Sequence, residues 1–354
     1  MHIVNIMFSR GGGGIEQAFV DYCVGLSERG HKVTAIVYPG AVAEDLLHQT
    51  HAAVDIVPMK NWSEWDIFAM FRLRKILTQL APDCIIAHAN RAYSLAEKAI
   101  KGKIPLVAVA QNYSTRRFTD ADAVFTTTHD LISHLVQQGV AEERVFHIPN
   151  MIRCTELPHR PVRRDPPIIG TMGRFVAKKG FDTYIAALEI LKNRGYEFKA
   201  ILGGSGDEDA KLKEQARTSG LSDILSFPGW VQDKKAFYTG IDIFCLPSLH
   251  EPFGIVLLEA FTHGAAVIST DSEGPRDIIT PNYDALMIEK ANPEALANAL
   301  EQLLRDPALA DKLAANAFAK TKTRYTIEVV CERIEQAVQK ILISQMVLNT
   351  RKAA

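Results

Sequence analysis

Ile168-Ile169-Gly170-Thr171-Met172-Gly173-Arg174-Phe175-Val176-Ala177-Lys178-Lys179-Gly180 carries a short apolar run into a glycine-bracketed turn, with a helical pattern after it. The chain opens in the same way, with Ile3–Phe8 ahead of Gly11-Gly12-Gly13-Gly14 and a helical pattern over Ile15–Arg29. A strand, a glycine turn and a helix in that order begin a doubly wound α/β sheet. Two such openings in one chain predict two doubly wound domains.

Between and beyond these openings, short β-branched runs alternate with helical patterns. Lys32–Val37, Cys84–Ala87, Leu106–Ala110 and Val124–Thr127 read as further strands of a first parallel sheet, with helices over Trp62–Leu80 and Arg91–Ile100. Lys199–Leu202, Ile224–Phe227, Asp242–Leu246, Ala266–Ser269 and Ala285–Ile288 continue the second. The segment Pro149–Pro167 holds five of the 16 prolines and reads as the interdomain linker. From Pro293 to Leu348 the pattern is helical, with stops near Asn292, Asp306-Pro307 and Thr326. The expected organisation is a first domain over 1–160, a second over 161–325, and a helix over 326–354 returning to the first domain.

Composition excludes several classes. A length of 354 residues at 47% hydrophobic content is that of a folded two-domain protein. With 40 basic and 41 acidic residues there is no general electrostatic pull toward a nucleic acid. The cysteines, five in number, have no metal-ligand spacing, which fits a reducing compartment and no structural zinc. Met1–Phe8 reads as a strand rather than a signal peptide, and no apolar run reaches the roughly 18–20 residues that span a bilayer. The expected setting is the cytoplasm, with any membrane contact peripheral.

Three stretches carry chemistry. Gly11–Gly14 and Ile15-Glu16 stand where backbone amides can approach an anion, yet Glu16 occupies the third-glycine position of the dinucleotide fingerprint, which counts against a nicotinamide enzyme. The alternative there is a tight turn without a ligand. Arg174 and Lys179 place two cations in the loop after the second domain's first strand, enough to neutralise a diphosphate without a metal; the alternative is a solvated basic loop. In Glu251-Pro252-Phe253-Gly254-Ile255-Val256-Leu257-Leu258-Glu259, a loop carboxylate can accept from sugar hydroxyls and one a turn inside the helix from a ribose diol. Free amides between them remain for phosphate. The alternative is a capping acid followed by a surface acid.

Together these motifs, with Gly203-Gly204-Ser205-Gly206, Phe227-Pro228-Gly229-Trp230-Val231 and Glu273-Gly274-Pro275-Arg276-Asp277, closely resemble the retaining glycosyltransferases of family 4 (glycosyl transferases group 1). Glu251 and Glu259 match the family's E-x7-E signature, and Gly173-Arg174 with Lys179-Gly180 match its G-R…K-G element. The resemblance implies the GT-B fold, two facing Rossmann-like domains with a C-terminal helical tail crossing back to the first. It implies a hexosyltransferase with no cofactor and no metal, whose partners are a nucleotide-sugar donor and a glycan or glycolipid acceptor. By carry-over Glu251, Arg174 and Lys179 are catalytic. Glu251 and the backbone of Phe253, Gly254, Ile255 and Val256 would meet donor sugar and phosphate, and Glu259 the ribose. Gly204 and Val231 would lie near the base, with Gly13 and Gly14 closing over the phosphates.

Where the family often has a histidine after the fifth strand this chain has Gln111, which can hydrogen-bond a hydroxyl but cannot act as an imidazole base. His88, Asn90, Arg91 and Gln111 are the acceptor-side candidates. Asn282–Ala285 stands where a glycine-rich turn is usual. In size and in the run Ala87–Ala92 the chain looks like bacterial enzymes of lipopolysaccharide core or other envelope polysaccharide assembly. Residues 88–117 hold six cations against Glu97 alone, a patch suited to a phosphorylated glycolipid or an anionic membrane as well as to plain solvation. The aromatics of Trp62–Phe71 are expected to pack against their own sheet rather than lie at an interface. A donor-hydrolysing nucleotide-sugar epimerase and a non-catalytic nucleotide-sugar-binding partner are the rival functions.

Overall fold

The computed structural model describes residues 1–154 and 164–353, with side chains to residue 347. The boundary expected at 160/161 lies outside the described residues, as do residues 155–163 of the linker around it. The chain divides into two units, residues 1–153 with those from 325 onward, and Cys154–Arg324.

In the first unit the strands are β1 (His2–Met7), β2 (Lys32–Val37), β3 (Val54–Pro58), β4 (Cys84–His88), β5 (Leu106–Ala110), β6 (Ala123–Thr126) and β7 (Val145–His147). The helices between them are α1 (Gly14–Glu28), α2 (Val42–His48), α3 (Ile67–Leu80), α4 (Ala89–Ile100) and α5 (His129–Gln137). The sheet is parallel, in the order β3-β2-β1-β4-β5-β6-β7. A parallel sheet covered on both faces needs apolar residues at both parities of each strand, as these strands have. Ile3 and Met7 join Cys84, Ile86, Val107 and Val109 in one core. Val4, Ile6 and Phe8 join Ile85, Ala87 and Ala108 in the other, which α3 and α4 cover.

The second unit contains β8 (Ile168–Arg174), β9 (Lys199–Ser205), β10 (Leu225–Ser226), β11 (Ile243–Leu246), β12 (Ala266–Thr270) and β13 (Leu286–Ile288). Its helices are α6 (Phe181–Asn193), α7 (Asp209–Thr218), α8 (Lys234–Thr239), α9 (Ile255–Thr262), α10 (Glu273–Ile278), α11 (Pro293–Arg305) and α12 (Pro307–Arg324). Its parallel sheet runs β10-β9-β8-β11-β12-β13. The turn at residues 282–285 dispenses with glycine because Asn282 itself adopts a positive φ of 62°, a conformation asparagine tolerates better than most residues. Asp284 holds that turn from within, accepting the Thr280 amide at 2.8 Å and pairing with Lys320.

The last helix, α13 (Ile327–Ala353), belongs to the first unit. Ile327, Val330, Cys331, Ile334, Ala337, Val338 and Ile341 repeat at helical spacing and enter the core that contains α1. Gly25 in α1 permits the approach, since a β-carbon there would lie 2.3 Å from Cys331 Sγ and 2.5 Å from Ile327 Cγ2. The Ile152 amide donates to Tyr325 O at 2.9 Å and Ile327 N to Ile152 O at 3.2 Å, so the chain leaves and rejoins this unit at adjacent points.

The expectation for the Trp62–Leu80 helix fails. α3 starts at Ile67, not Trp62, because Asp66 caps it by accepting the Ala69 amide at 2.8 Å. Its inward face consists of Ala69, Leu73 and Leu77, while Trp62, Trp65, Phe68 and Phe71 are exposed rather than packed on the sheet. Two apolar faces compete on this segment, and the aliphatic one fits against α4 and the sheet.

Candidate active site

In an open α/β sheet, ligands bind outside the carboxyl ends of the strands where the strand order reverses. In the second unit that point lies between β8 and β11. Arg174 is the last residue of β8 and is exposed; Glu251 follows β11. The two loops are joined by backbone bonds from Leu249 N to Lys178 O (2.8 Å) and from His250 N to the same carbonyl (3.3 Å). Gly180 makes this crossing feasible: its φ is 64°, and a β-carbon there would fall 2.1 Å from Pro247 O. As a result Lys179 Nζ lies 2.5 Å from Glu251 Oε2, and Ser248 Oγ donates to the same oxygen at 3.3 Å.

Glu251 is also held through its backbone. Its amide donates to Glu273 Oε2 (3.1 Å) and its carbonyl accepts the Gly274 amide (2.7 Å). Burial acts to raise the Glu273 carboxyl, but hydrogen bonds from its own amide, Lys290, the Glu251 amide and His250 outweigh it and hold the group at about 2. Glu273 is therefore a permanent anion anchoring the Glu251 loop. A β-carbon on Gly274 would fall 2.1 Å from Phe253 O, so only glycine lets α10 approach that loop.

Gly254, at φ 92°, caps α9, whose first intrahelical bond is Leu257 N to Gly254 O at 2.9 Å. The amides of Ile255 and Val256 precede that bond and stand at the positive end of the helix. One turn on, the buried Glu259 carboxylate pairs through Oε1 with Lys234 Nζ at 2.5 Å, and through Oε2 accepts the Tyr238 hydroxyl at 2.9 Å. Burial first, then the charge and hydrogen bond of Glu259, push the Tyr238 hydroxyl well above its ordinary value, so it stays a donor. The β9 end closes against β8: Gly204 has φ 142°, and a β-carbon there would sit 1.9 Å from Gly173 O. Val231 lies against Gly203, where a β-carbon would meet Val231 Cγ2 at 2.5 Å.

The second unit thus gathers Arg174, Lys179, Gly204, Val231, Glu251, Phe253–Val256 and Glu259 at one end of its sheet. Lys234 and Tyr238, which bracket Glu259, have no sequence signal: their pairing spans 21–25 residues between two helices and follows no motif.

The first unit sorts its candidates. Gly13 caps α1 and Gly14 begins it, with Glu16 buried and bonded to Ser9. Asn90 and Gln111 line one narrow pocket with Ile15, Ala89 and Ser114. Asn90 Nδ2 donates to Ser114 O and Oγ, each at 3.0 Å, and Gln111 Nε2 to Asn150 Oδ1 at 3.1 Å. Among the described residues the buried oxygens Asn90 Oδ1 and Gln111 Oε1 lack a donor. Arg91 turns back to Phe8 O at 3.4 Å. His88 corrects the expectation that grouped it with these residues. The strand pleat that puts Cys84 and Ile86 on the α1 side puts His88 there too, 1% exposed, edge-on to Phe19 and Tyr22 at 5.2 and 5.0 Å. Burial lowers it to about 3, so it is a neutral core residue.

This two-sheet architecture is the GT-B fold of glycosyltransferases. A crystal structure of a glycosyltransferase from Rickettsia africae is similar at a TM-score of 0.83 and 18% identity, over 96% of this chain and 98% of that one. The Anabaena protein Alr3699/HepE, solved in complex with UDP-glucose, is similar at 0.82 and 20%, over 96% of this chain and all of that one (100%). The family description Glycosyltransferase Family 4 matches residues 12–156 and Glycosyl transferases group 1 matches residues 155–320, and the chain belongs to this glycosyltransferase family. It is 29% identical to the lipopolysaccharide core biosynthesis glycosyltransferase LpsE of Rhizobium meliloti, over 94% of this chain and 97% of that protein. It is 28% identical to LpsD of the same organism, over 94% and 96%. Among the described residues no helix is long and apolar enough to cross a membrane.

Proposed function

We propose that this glycosyltransferase moves a hexosyl group, with retention, from a nucleotide-sugar donor to a lipopolysaccharide core or another envelope glycan or glycolipid. The observation carrying the donor half is the Lys179–Glu251 contact at the β8/β11 reversal, with Glu259 and the open α9 amides one turn away. Arg174 and Lys179 would neutralise charge growing on the departing diphosphate without a metal, assisted by the amides of Gly254, Ile255 and Val256. Glu251 would accept from the donor sugar's hydroxyls and Glu259 from the ribose, with Gly204 and Val231 beside the base.

On the acceptor side, the donor-less oxygens of Asn90 and Gln111 in one pocket suit hydroxyl groups, and neither residue is a base. A path in which the leaving phosphate oxygen takes the acceptor's proton fits that equipment. The lipopolysaccharide-core relatives support the acceptor class. The test is product analysis: purified protein, a panel of uridine and guanosine diphosphate sugars, and a core oligosaccharide acceptor. The expected product is a lengthened acceptor whose new bond keeps the donor's anomeric configuration by NMR. An inverted linkage would overturn retention, and an epimerised free sugar would overturn transfer.

A further inference from the structure

We propose that Lys234 is a ribose-binding residue, its ammonium donating to a diol oxygen of the nucleotide while Glu259 accepts the diol's protons; this rests on Glu259 being the ribose carboxylate. A hydroxyl is both a donor and an acceptor, so a ribose 2′,3′-diol held by a carboxylate alone has its hydrogens met and its lone pairs unmet. A complete diol site needs a donor beside the acceptor. Two side chains donate to the Glu259 carboxylate, and they differ in what they have left to give. The Tyr238 hydroxyl has a single proton, already directed at Glu259 Oε2 (2.9 Å) and Val256 O (3.2 Å), and the residue is 1% exposed. Lys234 carries three N–H groups, and among the described residues its Nζ meets one acceptor, Glu259 Oε1 at 2.5 Å. The lysine side chain is 52% exposed against 11% for the glutamate, which leaves its other N–H groups to solvent beside the carboxylate.

Local structure fixes this arrangement. Asp233 caps α8 by accepting the Ala236 amide at 2.8 Å, which sets Lys234 at the first position of the helix. Three residues earlier, Val231 packs against Gly203 at the end of β9. Stability does not account for the pair: a half-exposed lysine gives up side-chain freedom to hold one geometry, and such ion pairs contribute little to folding. A bound diol would leave the pair in place, because the ammonium keeps two N–H groups and the carboxylate keeps about two lone-pair directions. Bonds to both partners would then be charge-assisted, the stronger kind. Without Glu259 the ammonium has no other acceptor among the described residues to hold it there, so the two side chains act as a unit.

The experiment is calorimetric titration of the full chain with UDP, GDP and their 2′-deoxy and 3′-deoxy forms. Lys234→Met keeps the stem and removes the ammonium. It should weaken ribonucleotide binding by about 10-fold and lose most of the wild type's sensitivity to one of the two hydroxyls. Lys234→Arg, which keeps a charged donor, should restore most of both. Equal weakening toward ribose and deoxyribose nucleotides would overturn the proposal, since the lysine would then act on the diphosphate charge alone. So would tighter binding by Lys234→Met, because the ammonium would then be a competitor that the nucleotide displaces. Glu259→Ala, titrated in parallel, separates this role from the site it depends on. If Glu259→Ala loses ribose sensitivity and Lys234→Met keeps it, the ribose site stands and the lysine's role falls. If both variants keep it, or the wild type is indifferent to both hydroxyls, the ribose site itself falls.

Discussion

Removing the Glu259 carboxylate should weaken binding of a nucleoside diphosphate by about 10- to 100-fold while leaving the fold intact. A carboxylate offers about four lone-pair directions. Lys234 and Tyr238 take two of them, one on each oxygen. Two remain, the number a ribose 2′,3′-diol needs. Hydrogen bonds to charged groups contribute about 1.5–3 kcal/mol each, and a tenfold change in affinity is about 1.4 kcal/mol. Loss of both, partly offset by water entering the gap, gives the stated range. Stability should fall little, because the Tyr238 hydroxyl keeps Val256 O at 3.2 Å and the half-exposed Lys234 can return to water. Calorimetric titration of Glu259→Ala, repeated with 2′-deoxyribose nucleotide, completes a cycle. Wild type should lose roughly tenfold on removal of the 2′-hydroxyl, and the variant should lose almost nothing. If Glu259→Ala still discriminates ribose from deoxyribose, the carboxylate does not hold the diol.

Lys179→Ala should keep its melting temperature within a few degrees yet lose turnover by about 10²-fold or more, the usual loss for one preorganised charge partner; nucleotide release with saturating donor checks this, and a normal rate refutes it. Gly25→Ala should cost about 1–3 kcal/mol through overpacking against Cys331 and Ile327, read by urea unfolding, whereas a helix-propensity gain alone would stabilise. His88 should stay neutral from pH 8 down to well below its unfolded value of 6.5, with no titrating imidazole signal in NMR over that range. Because the folded group binds its proton only near pH 3, the unfolded chain holds more protons between about 3 and 6.5. Stability should therefore fall with falling pH in that window by up to about 1.4 kcal/mol per unit, and His88→Leu should flatten the slope.

The strands that were legible in the sequence were those buried on both faces, where apolar residues dominate both parities, as in Ile3–Phe8 and Asp242–Leu246. β3 and β7 were not, because Val54–Pro58 carries Asp55 and ends in proline, and Val145–His147 is only three residues long. Both are outermost in their sheet, where pattern is weakest. The E-x7-E and G-R…K-G elements were readable because each spans a turn, at Gly254 and Gly180, whose backbone geometry constrains residue type. What they hold on to was not readable, since Glu259 meets Tyr238 and Lys234 from another helix. His88 and the α3 aromatics show the same limit: a histidine at a strand end and an aromatic stripe declare neither which side of the sheet nor which side of the helix they will occupy. Packing decides that, through strand parity in the first case and the fit of Ala69, Leu73 and Leu77 in the second.

Because α13 completes the core around α1, the first unit is assembled from the two ends of the polypeptide. During synthesis the α1 surface that will receive Ile327, Cys331 and Ile334 must wait until nearly the whole protein has left the ribosome, although its own strands were made first. A chain truncated after Arg324 would expose that surface permanently and should aggregate, even though every residue gathered around Glu251 would still be present.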